Sequence, residues 1–401
     1  MVRLVTLRYC FLVVLHYCAV NMTSAMFMTY LTRVGGLDDR WAMIAYAAYF
    51  LALTSVEIPT GAGSDVGGRK NAFVLASAFN AVSVIAYAFS GNFWAFAASA
   101  ALGGIGAAFA NGTLDSWFVT QLRRAGRPKE SYDLIFTKVE LFKCLVAGIS
   151  GFIGIKFAGQ TMQFPWFSAA VFYILTGIFA YMLMAEKDIA ERAPVPLPQM
   201  WKMVKQTARD GVAYGRANHK IWFIVTTVAA LYATVMIPNL LWQPHFLKWL
   251  PGVESLGYVW LGMMAANGFG VLVVMVPRLL GFEMYDRKTL LLCLVVAGIG
   301  IFGMALFRDL ENSLTLFFIY QAGRGAFQPV NRAFLHRNIE SEELRTTISS
   351  MEAIGHHVGA AVGLVIMANV VYFVSREVAL MCAGAFLIVF AAYWWRRRKR
   401  C

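Results

Sequence analysis

Charged residues are scarce in this sequence. They make up 14% of its 401 residues, whereas soluble domains contain roughly 25%. Hydrophobic residues make up 59%, and the mean hydropathy is +0.60. This apolar excess is too large for a soluble protein, so we expect much of it to face lipid.

Motifs of enzymes, pumps and metal proteins are also missing. The six cysteines lie singly and have neither the spacing of a metal site nor that of a disulfide framework. There is no His-Glu-x-x-His and no Gly-x-Ser-x-Gly, and the glycine-rich stretch 63–70 lacks the ending of an ATP-binding loop. The ten-residue alternating strands of a membrane barrel are absent. We therefore predict no metal site and no cofactor other than a proton gradient.

The sequence contains instead a series of long apolar segments. A helix needs about 20 apolar residues to cross the hydrocarbon core, and its backbone must be hydrogen-bonded internally. Twelve segments meet this requirement, at 8–31, 41–61, 71–90, 93–120, 134–157, 164–185, 221–242, 256–277, 289–307, 314–335, 348–372 and 377–395. The first is too long for a signal-peptide core, so we expect it to be retained. These segments predict an all-α polytopic membrane protein with 12 transmembrane helices.

Basic residues fall mainly on one side of these segments. With the N-terminus in the cytoplasm, 26 of the 35 Lys and Arg lie in cytoplasmic segments, six lie in outer loops and three lie within spans. This bias follows the positive-inside rule and places both termini in the cytoplasm. It also explains the net charge of +13 without nucleic acid as a partner. We predict a multi-pass inner (plasma) membrane protein whose partners are the bilayer and a small-molecule substrate, and which works as a monomer.

A long polar stretch divides the spans into two sets of six. We predict an N-terminal half at 1–185, a cytoplasmic linker at 186–220 with an amphipathic helix at 199–215, and a C-terminal half at 221–401. The halves share short repeats, because Gly-x-Gly-Ala at 104–107 recurs at 323–326 and Arg-Lys at 69–70 recurs at 287–288. Internal repeats are typical of secondary transporters, in which the substrate site lies between the repeats.

The polar stretch 57–70, between the second and third spans, carries the most distinctive motif. It reads Gly61-x-x-x-Asp65-x-x-Gly68-Arg69-Lys70, and its glycines predict a tight turn. The motif resembles the signature loop of the major facilitator superfamily of transporters. The preceding Glu-Ile-Pro-Thr at 57–60 is similar to bacterial members that export drugs or metabolites. With twelve spans in two sets of six, the resemblance covers nearly the whole chain and implies that fold.

The resemblance also implies a cytoplasmic gate. In the family, the signature aspartate faces the N-terminus of helix eleven, where the helix dipole favours negative charge; Asp65 matches it. We expect Arg69 to pair with Asp115 or Glu140 and to hold this side closed. The alternative is a polar turn whose bases only set the topology. The predicted gating residues are Gly61, Asp65, Gly68, Arg69, Lys70 and Asp115.

Polar residues within spans are the candidates for contact with substrate or coupling ion. Arg324 lies near mid-membrane, where a charge is costly and marks a function by default; the alternative is a structural ion pair. Glu352 and His356 are four residues apart on one helical face, where they are placed to relay protons or only to bond a neighbouring helix. The remaining candidates are His16 and Asn21, as cavity lining, and Gln243, at the outer mouth. For His16 and Asn21 the alternative is an interhelical hydrogen bond, which is the more frequent role of a lone polar group on an apolar helix.

Together these features predict a secondary active transporter that moves a small organic solute by alternating access, with proton-coupled efflux of a drug or metabolite preferred. A proton-coupled importer of a nutrient or siderophore-like compound is the alternative on the same fold. A polytopic membrane enzyme and a receptor that no longer transports are more remote alternatives. The chain departs from family patterns at Ala100, where many exporters have arginine, and at Thr120, where an acid is expected.

Overall fold

The structure, a computed structural model, describes residues 2–126, 132–159, 161–185, 202, 206, 209, 218–282, 287–338 and 342–397. The described part of the chain contains helices and the turns between them, with no strand. The predicted linker helix at 199–215 falls mostly outside it, and the three linker residues that are described are helical and exposed.

Fourteen α-helices form the described structure. In the first half they are α1 (Val2–Asn21), α2 (Phe27–Arg33), α3 (Asp39–Gly67), α4 (Arg69–Phe89), α5 (Phe93–Ala110), α6 (Thr113–Arg124), α7 (Tyr132–Ala158) and α8 (Phe164–Leu183). In the second half they are α9 (His219–Phe246), α10 (Leu256–Leu279), α11 (Arg287–Leu306), α12 (Leu310–Arg337), α13 (Glu342–Phe373) and α14 (Arg376–Arg396).

These helices confirm the predicted fold class of twelve membrane-crossing segments in two halves. Ten crossings are long and apolar enough to be recognised by length and composition. The other two crossings are formed by α3 and α12. The chain forms two compact units, one of residues 1–36 and 48–205 and one of residues 37–47 and 206–401. The first turns of α3 therefore pack with the second unit.

The two units repeat the same helix pairings. In the first unit the first crossing packs on the fifth (α1 on α7) and the third on the fourth and sixth (α4 on α5 and α8). The second unit pairs α9 with α13, and α11 with α12 and α14. The repeated glycines explain part of this, because a Cβ on Gly104 would lie 2.2 Å from the Tyr49 carbonyl oxygen, and one on Gly325 would lie 2.1 Å from that of Asn267. In both units, glycine thus lets the fourth crossing touch the second.

Three predicted spans have different boundaries in the structure. The stretch predicted as a tight turn is helical through Gly67, and only Gly68, with φ of +88°, forms the turn before α4. The span predicted at 93–120 breaks after Ala110, because Gly112 takes a φ of +66° and a new helix starts at Thr113. The span predicted at 8–31 is interrupted by a short 3-10 helix, Ser24–Met26.

Helix α12, which carries Arg324, begins with a side-chain cap. The Asp309 carboxylate accepts hydrogen bonds from the Asn312 backbone N–H at 2.9 Å and from the Asn312 side-chain Nδ2 at 3.2 Å. These bonds stabilise the ionised carboxylate and hold the pKa of Asp309 below its usual range. The cap fixes the start of the helix and so the depth of the residues that follow it.

Candidate functional site

Arg324 lies halfway along the 28-residue helix α12, about 21 Å from either end at 1.5 Å per residue. Its Nη1 donates to Asn239 Oδ1 of α9 at 3.3 Å, and the same oxygen accepts from the Tyr320 hydroxyl at 2.9 Å. Tyr46 is close enough to Arg324 to interact with it electrostatically. Among the residues that the structure describes, no carboxylate pairs with Arg324. The predicted mid-membrane cation is thus present, and its contacts are with neutral groups.

A second layer of polar residues lies one turn further along the same helix. The Gln328 amide donates to the Tyr232 hydroxyl, and the Tyr232 ring stacks on the His356 ring with centroids 3.3 Å apart. His356 also lies within electrostatic range of Arg324. Helices α9, α12 and α13 therefore bring an amide, a phenol and an imidazole together near the half-buried Arg324 side chain.

Glu352 and His356 make their described contacts with different neighbours. The Asn331 amide donates to Glu352 Oε1 at 3.0 Å, while His356 stacks on Tyr232 and lies beside His357 with ring centroids 4.6 Å apart. The interhelical hydrogen bond expected as the alternative to a proton relay is therefore present at Glu352. The relay itself stays a prediction.

Gln321 is a residue that the sequence reasoning missed. Its side chain is 0% exposed, and neither its amide oxygen nor its nitrogen has a hydrogen-bond partner in the described structure. Gln321, Arg324 and Gln328 follow one another at spacings of three and four residues, so they share one helical face. That spacing of polar residues within an apolar span is the sequence signal for this face. The predicted Gln243 lies one turn beyond Asn239 on α9 and is also buried.

The first unit holds a separate polar cluster around His16. The Tyr9 hydroxyl donates to Asp115 Oδ1 at 2.5 Å, which joins α1 to the first turn of α6. The Lys143 ammonium lies 5.2 Å from the Tyr17 ring centroid and 3.5 Å from Glu140 Oε2.

Lys143 and Asp115 both act electrostatically on His16. The imidazole contacts the rings of Tyr17, Phe73 and Tyr173, and its Nδ1 is buried without a partner among the described residues. Asn21, one turn beyond Tyr17, donates to the Tyr17 carbonyl oxygen of its own helix at 2.8 Å. This bond satisfies one of its amide protons locally, and the predicted role of Asn21 as cavity lining stays a prediction.

The predicted gate residues meet at the start of α4. Arg69 Nη1 donates to the Ser116 carbonyl oxygen at 2.7 Å and to Thr120 Oγ1 at 2.5 Å, both on α6. The Lys70 ammonium lies 4.3 Å from the Tyr181 ring centroid. The described hydrogen bonds of Arg69 thus go to Ser116, which follows Asp115 in α6, and to Thr120 one turn later, while Asp115 accepts from Tyr9. The side chains of positions 61 and 65 lie outside the described part, so the role of Asp65 stays a prediction.

Comparison with known proteins adds a family and a fold. The sequence model of the Major Facilitator Superfamily matches residues 9–350. No curated protein matches the sequence.

Similar solved structures include the nucleoside transporter NupG, at 14% identity and a TM-score of 0.75, with 98% of each chain covered. The human organic anion transporter MFSD10 is 14% identical with a TM-score of 0.68, covering 98% of this chain and 99% of that one. The proton:xylose symporter XylE, an E. coli protein, is 12% identical with a TM-score of 0.66, covering 98% and 95%. At these identities the likeness shows a shared fold.

Proposed function

The chain belongs to the major facilitator superfamily, and on that premise we propose that it is a proton-coupled secondary transporter that exports a small organic solute carrying a negative charge. It is a transporter and not an enzyme. The proposal places the solute at Arg324, the proton at the His16 cluster, and the protein in the inner membrane, where it works by alternating access.

The observation that carries the proposal is the environment of Arg324. A charge at the centre of a membrane helix costs about 2.5–3.5 kcal/mol on insertion scales. An amide oxygen and phenols offset part of this cost, and no carboxylate in the described structure offsets the rest. A carboxylate or phosphate on the solute would supply the missing charge, and a planar guanidinium binds either group through two parallel hydrogen bonds.

The neighbouring rings suit an organic solute and not a bare ion. Tyr46 on α3 and Tyr320 on α12 interact electrostatically with Arg324, and Tyr232 on α9 bonds Gln328 one turn further along α12. Aromatic faces pack on organic groups, and their hydroxyls accept or donate hydrogen bonds. The human organic anion transporter and the proton:xylose symporter share this fold, which makes both an anionic cargo and a proton-driven cycle compatible with it.

The His16 cluster supports proton coupling because it gathers groups that exchange protons. An imidazole titrates near neutral pH in its ordinary state. Around His16 the charged and titratable groups of the described structure are Tyr9 and Tyr17 on α1, Asp115 on α6, Glu140 and Lys143 on α7, and Tyr173 on α8. A proton that binds to His16 adds a positive charge, which attracts Asp115 and repels Lys143. Protonation would in this way link the charge of the first unit to the transport cycle.

The test is transport by the purified protein in liposomes under an imposed pH gradient. The probes are an aromatic carboxylate and its uncharged amide, which have the same shape and differ in charge. We expect the carboxylate alone to move against its gradient. Arg324→Ala should abolish this movement, and Arg324→Lys, which keeps the charge without the planar fork, should retain part of it. Equal movement of both probes, or full transport by Arg324→Ala, would contradict the site assignment.

Direction is tested in cells with and without the gene. Export predicts that deletion raises retention of the carboxylate, whereas the alternative, an importer, predicts that deletion lowers it. The Arg324 assignment survives either result, since the bound solute meets the same guanidinium in both directions.

A further inference from the structure

The second unit has a groove on its surface at the end of the bundle that the basic residues place in the cytoplasm. It lies between the start of α11 and the end of α14, with a volume of about 530 Å³. Its position is separate from Arg324, which lies in the middle of α12. We propose that this groove binds one anionic phospholipid, with the phosphate at Lys288 and Arg396 and an acyl chain along the apolar floor.

The lining is arranged in the order that a phospholipid needs. Lys288 and Thr289 on α11 and Arg396 on α14 lie at the groove's cytoplasmic end. Below them the walls are apolar, and none of the lining residues is acidic. Two cations and a hydroxyl match the phosphate, and the aliphatic walls match the chain. Basic pockets between transmembrane helices on the cytoplasmic side are suited to such headgroups.

Helical periodicity keeps both walls aligned. On α11 the lining positions 288, 291, 292 and 295 repeat at spacings of three and four, and on α14 the positions 388, 391, 392 and 395 do the same. Seven residues of helix span about 10 Å, which is within one leaflet's share of the hydrocarbon core. The groove therefore runs from the headgroup level into the acyl region of the same leaflet.

Small residues and a rigid end give the groove its shape. Deeper in the membrane the two helices touch, since a Cβ on Gly298 would lie 2.8 Å from the Gly384 carbonyl oxygen. Towards the cytoplasm Ala391 and Ala392 leave space between them. The Arg287 guanidinium donates to the Trp394 carbonyl oxygen at 2.6 Å and so fixes the start of α11 to the end of α14. Trp395, which is 47% exposed, lies at the level where tryptophan meets the headgroups.

The test measures which lipids the full-length protein retains. The protein is reconstituted in vesicles of phosphatidylcholine with one-fifth phosphatidylglycerol, extracted in mild detergent, and examined by native mass spectrometry. We expect phosphatidylglycerol to be enriched among the bound lipids. A base near an anionic surface contributes about fivefold in binding, so Lys288→Gln with Arg396→Gln should lower the enrichment by about 25-fold.

Two controls separate this site from general attraction by positive charge. Arg123→Gln with Arg124→Gln removes the same charge from the exposed end of α6 and should leave the enrichment unchanged. Ala392→Phe fills the groove without a change in charge and should abolish retention of the bound lipid. Soluble glycerol phosphate at millimolar concentration should not compete, because it lacks the acyl chain.

Three results would each overturn the proposal. The wild-type protein could retain the two lipids in the same proportion as the vesicles contain them. The α6 variant could lose as much enrichment as the Lys288→Gln, Arg396→Gln variant, or glycerol phosphate could displace the bound lipid. None of them depends on the identity of the transported solute.

Discussion

Arg69 donates a 2.5 Å hydrogen bond to Thr120, the position where the family resemblance leads one to expect an acid. A second bond from the same Nη1 reaches the Ser116 carbonyl oxygen. These two bonds hold the base of the signature motif against α6. Because the Thr120 hydroxyl carries no full charge, its bond with the Arg69 guanidinium lacks the Coulombic attraction of an ion pair and breaks more easily than an arginine–carboxylate pair would.

We expect Thr120→Asp to convert the contact into an ion pair and to slow transport. A partly buried ion pair adds about 1–2 kcal/mol, which corresponds to about 5- to 30-fold slower turnover if the contact must break in each cycle. The affinity for solute should not change, since Arg69 is not part of the Arg324 site. Turnover in liposomes and binding by the purified protein measure the two effects separately.

Thr120→Asn is the matched control, because it has the size of the aspartate without its charge. It should transport at nearly the wild-type rate. If Thr120→Asp also does so, the contact does not break during the cycle and Arg69 has no gating role.

The fold could be predicted well because its signals are long. About 20 apolar residues per crossing and a one-sided distribution of 35 bases are properties of whole segments, which single residues do not disturb. The ends of individual helices are harder to predict. The end of α3 is an example: glycines predicted a turn throughout 61–68, but helical hydrogen bonds continue to Gly67 and only Gly68 takes a positive φ. A glycine permits a turn and does not require one.

The site could be predicted in part, because charge is visible in a sequence and pairing is not. Arg324 was identifiable as a lone cation in an apolar span. Its partner Asn239 comes from a helix 85 residues earlier, and the stacking of Tyr232 on His356 joins two other distant segments. The Gln321 amide gave no signal of its own, since a buried glutamine without a partner becomes visible only when its neighbours are placed around it.

We expect His16→Gln to uncouple transport from the pH gradient. Glutamine keeps hydrogen-bonding groups near Asp115 and Lys143 but does not titrate between pH 5 and 8. Accumulation driven by the gradient should therefore be lost, while exchange of labelled for unlabelled solute at equal pH should continue. His219→Gln, at the exposed start of α9, is the control and should retain both activities. Loss of both activities in His16→Gln would assign His16 to solute binding or folding and not to coupling.

We expect the ion pair between Asp39 and Arg376 to stabilise the second unit. It joins the first turn of α3 to the first turn of α14, and the aspartate side chain is 6% exposed while the arginine is 37% exposed. Arg376→Gln leaves a buried carboxylate without this partner, which should cost about 1–3 kcal/mol because one side of the pair is in solvent. Thermal unfolding measures the loss.

Exchange of the two charges, Asp39→Arg with Arg376→Asp, tests whether that loss comes from the pair. The double variant should recover part of the stability that each single variant loses. Additive losses in the double variant would show that the two residues do not stabilise each other.

We expect Gln321→Leu to make the protein more stable and to weaken solute binding. The amide of Gln321 is fully buried without a partner in the described structure, and such a group costs about 1–3 kcal/mol. Leucine removes that cost at similar volume, so the melting temperature should rise. If the amide instead bonds the solute held by Arg324, its loss should weaken binding by about 10- to 100-fold.

Thr227→Val provides the comparison, because the Thr227 hydroxyl on α9 is also buried without a partner in the described structure. It should raise stability and leave affinity unchanged. For Gln321→Leu we expect stability to rise and solute affinity to fall. This combination identifies a residue that binds the solute, because the loss of a structural contact would lower stability instead. Unchanged affinity in Gln321→Leu would remove Gln321 from the site.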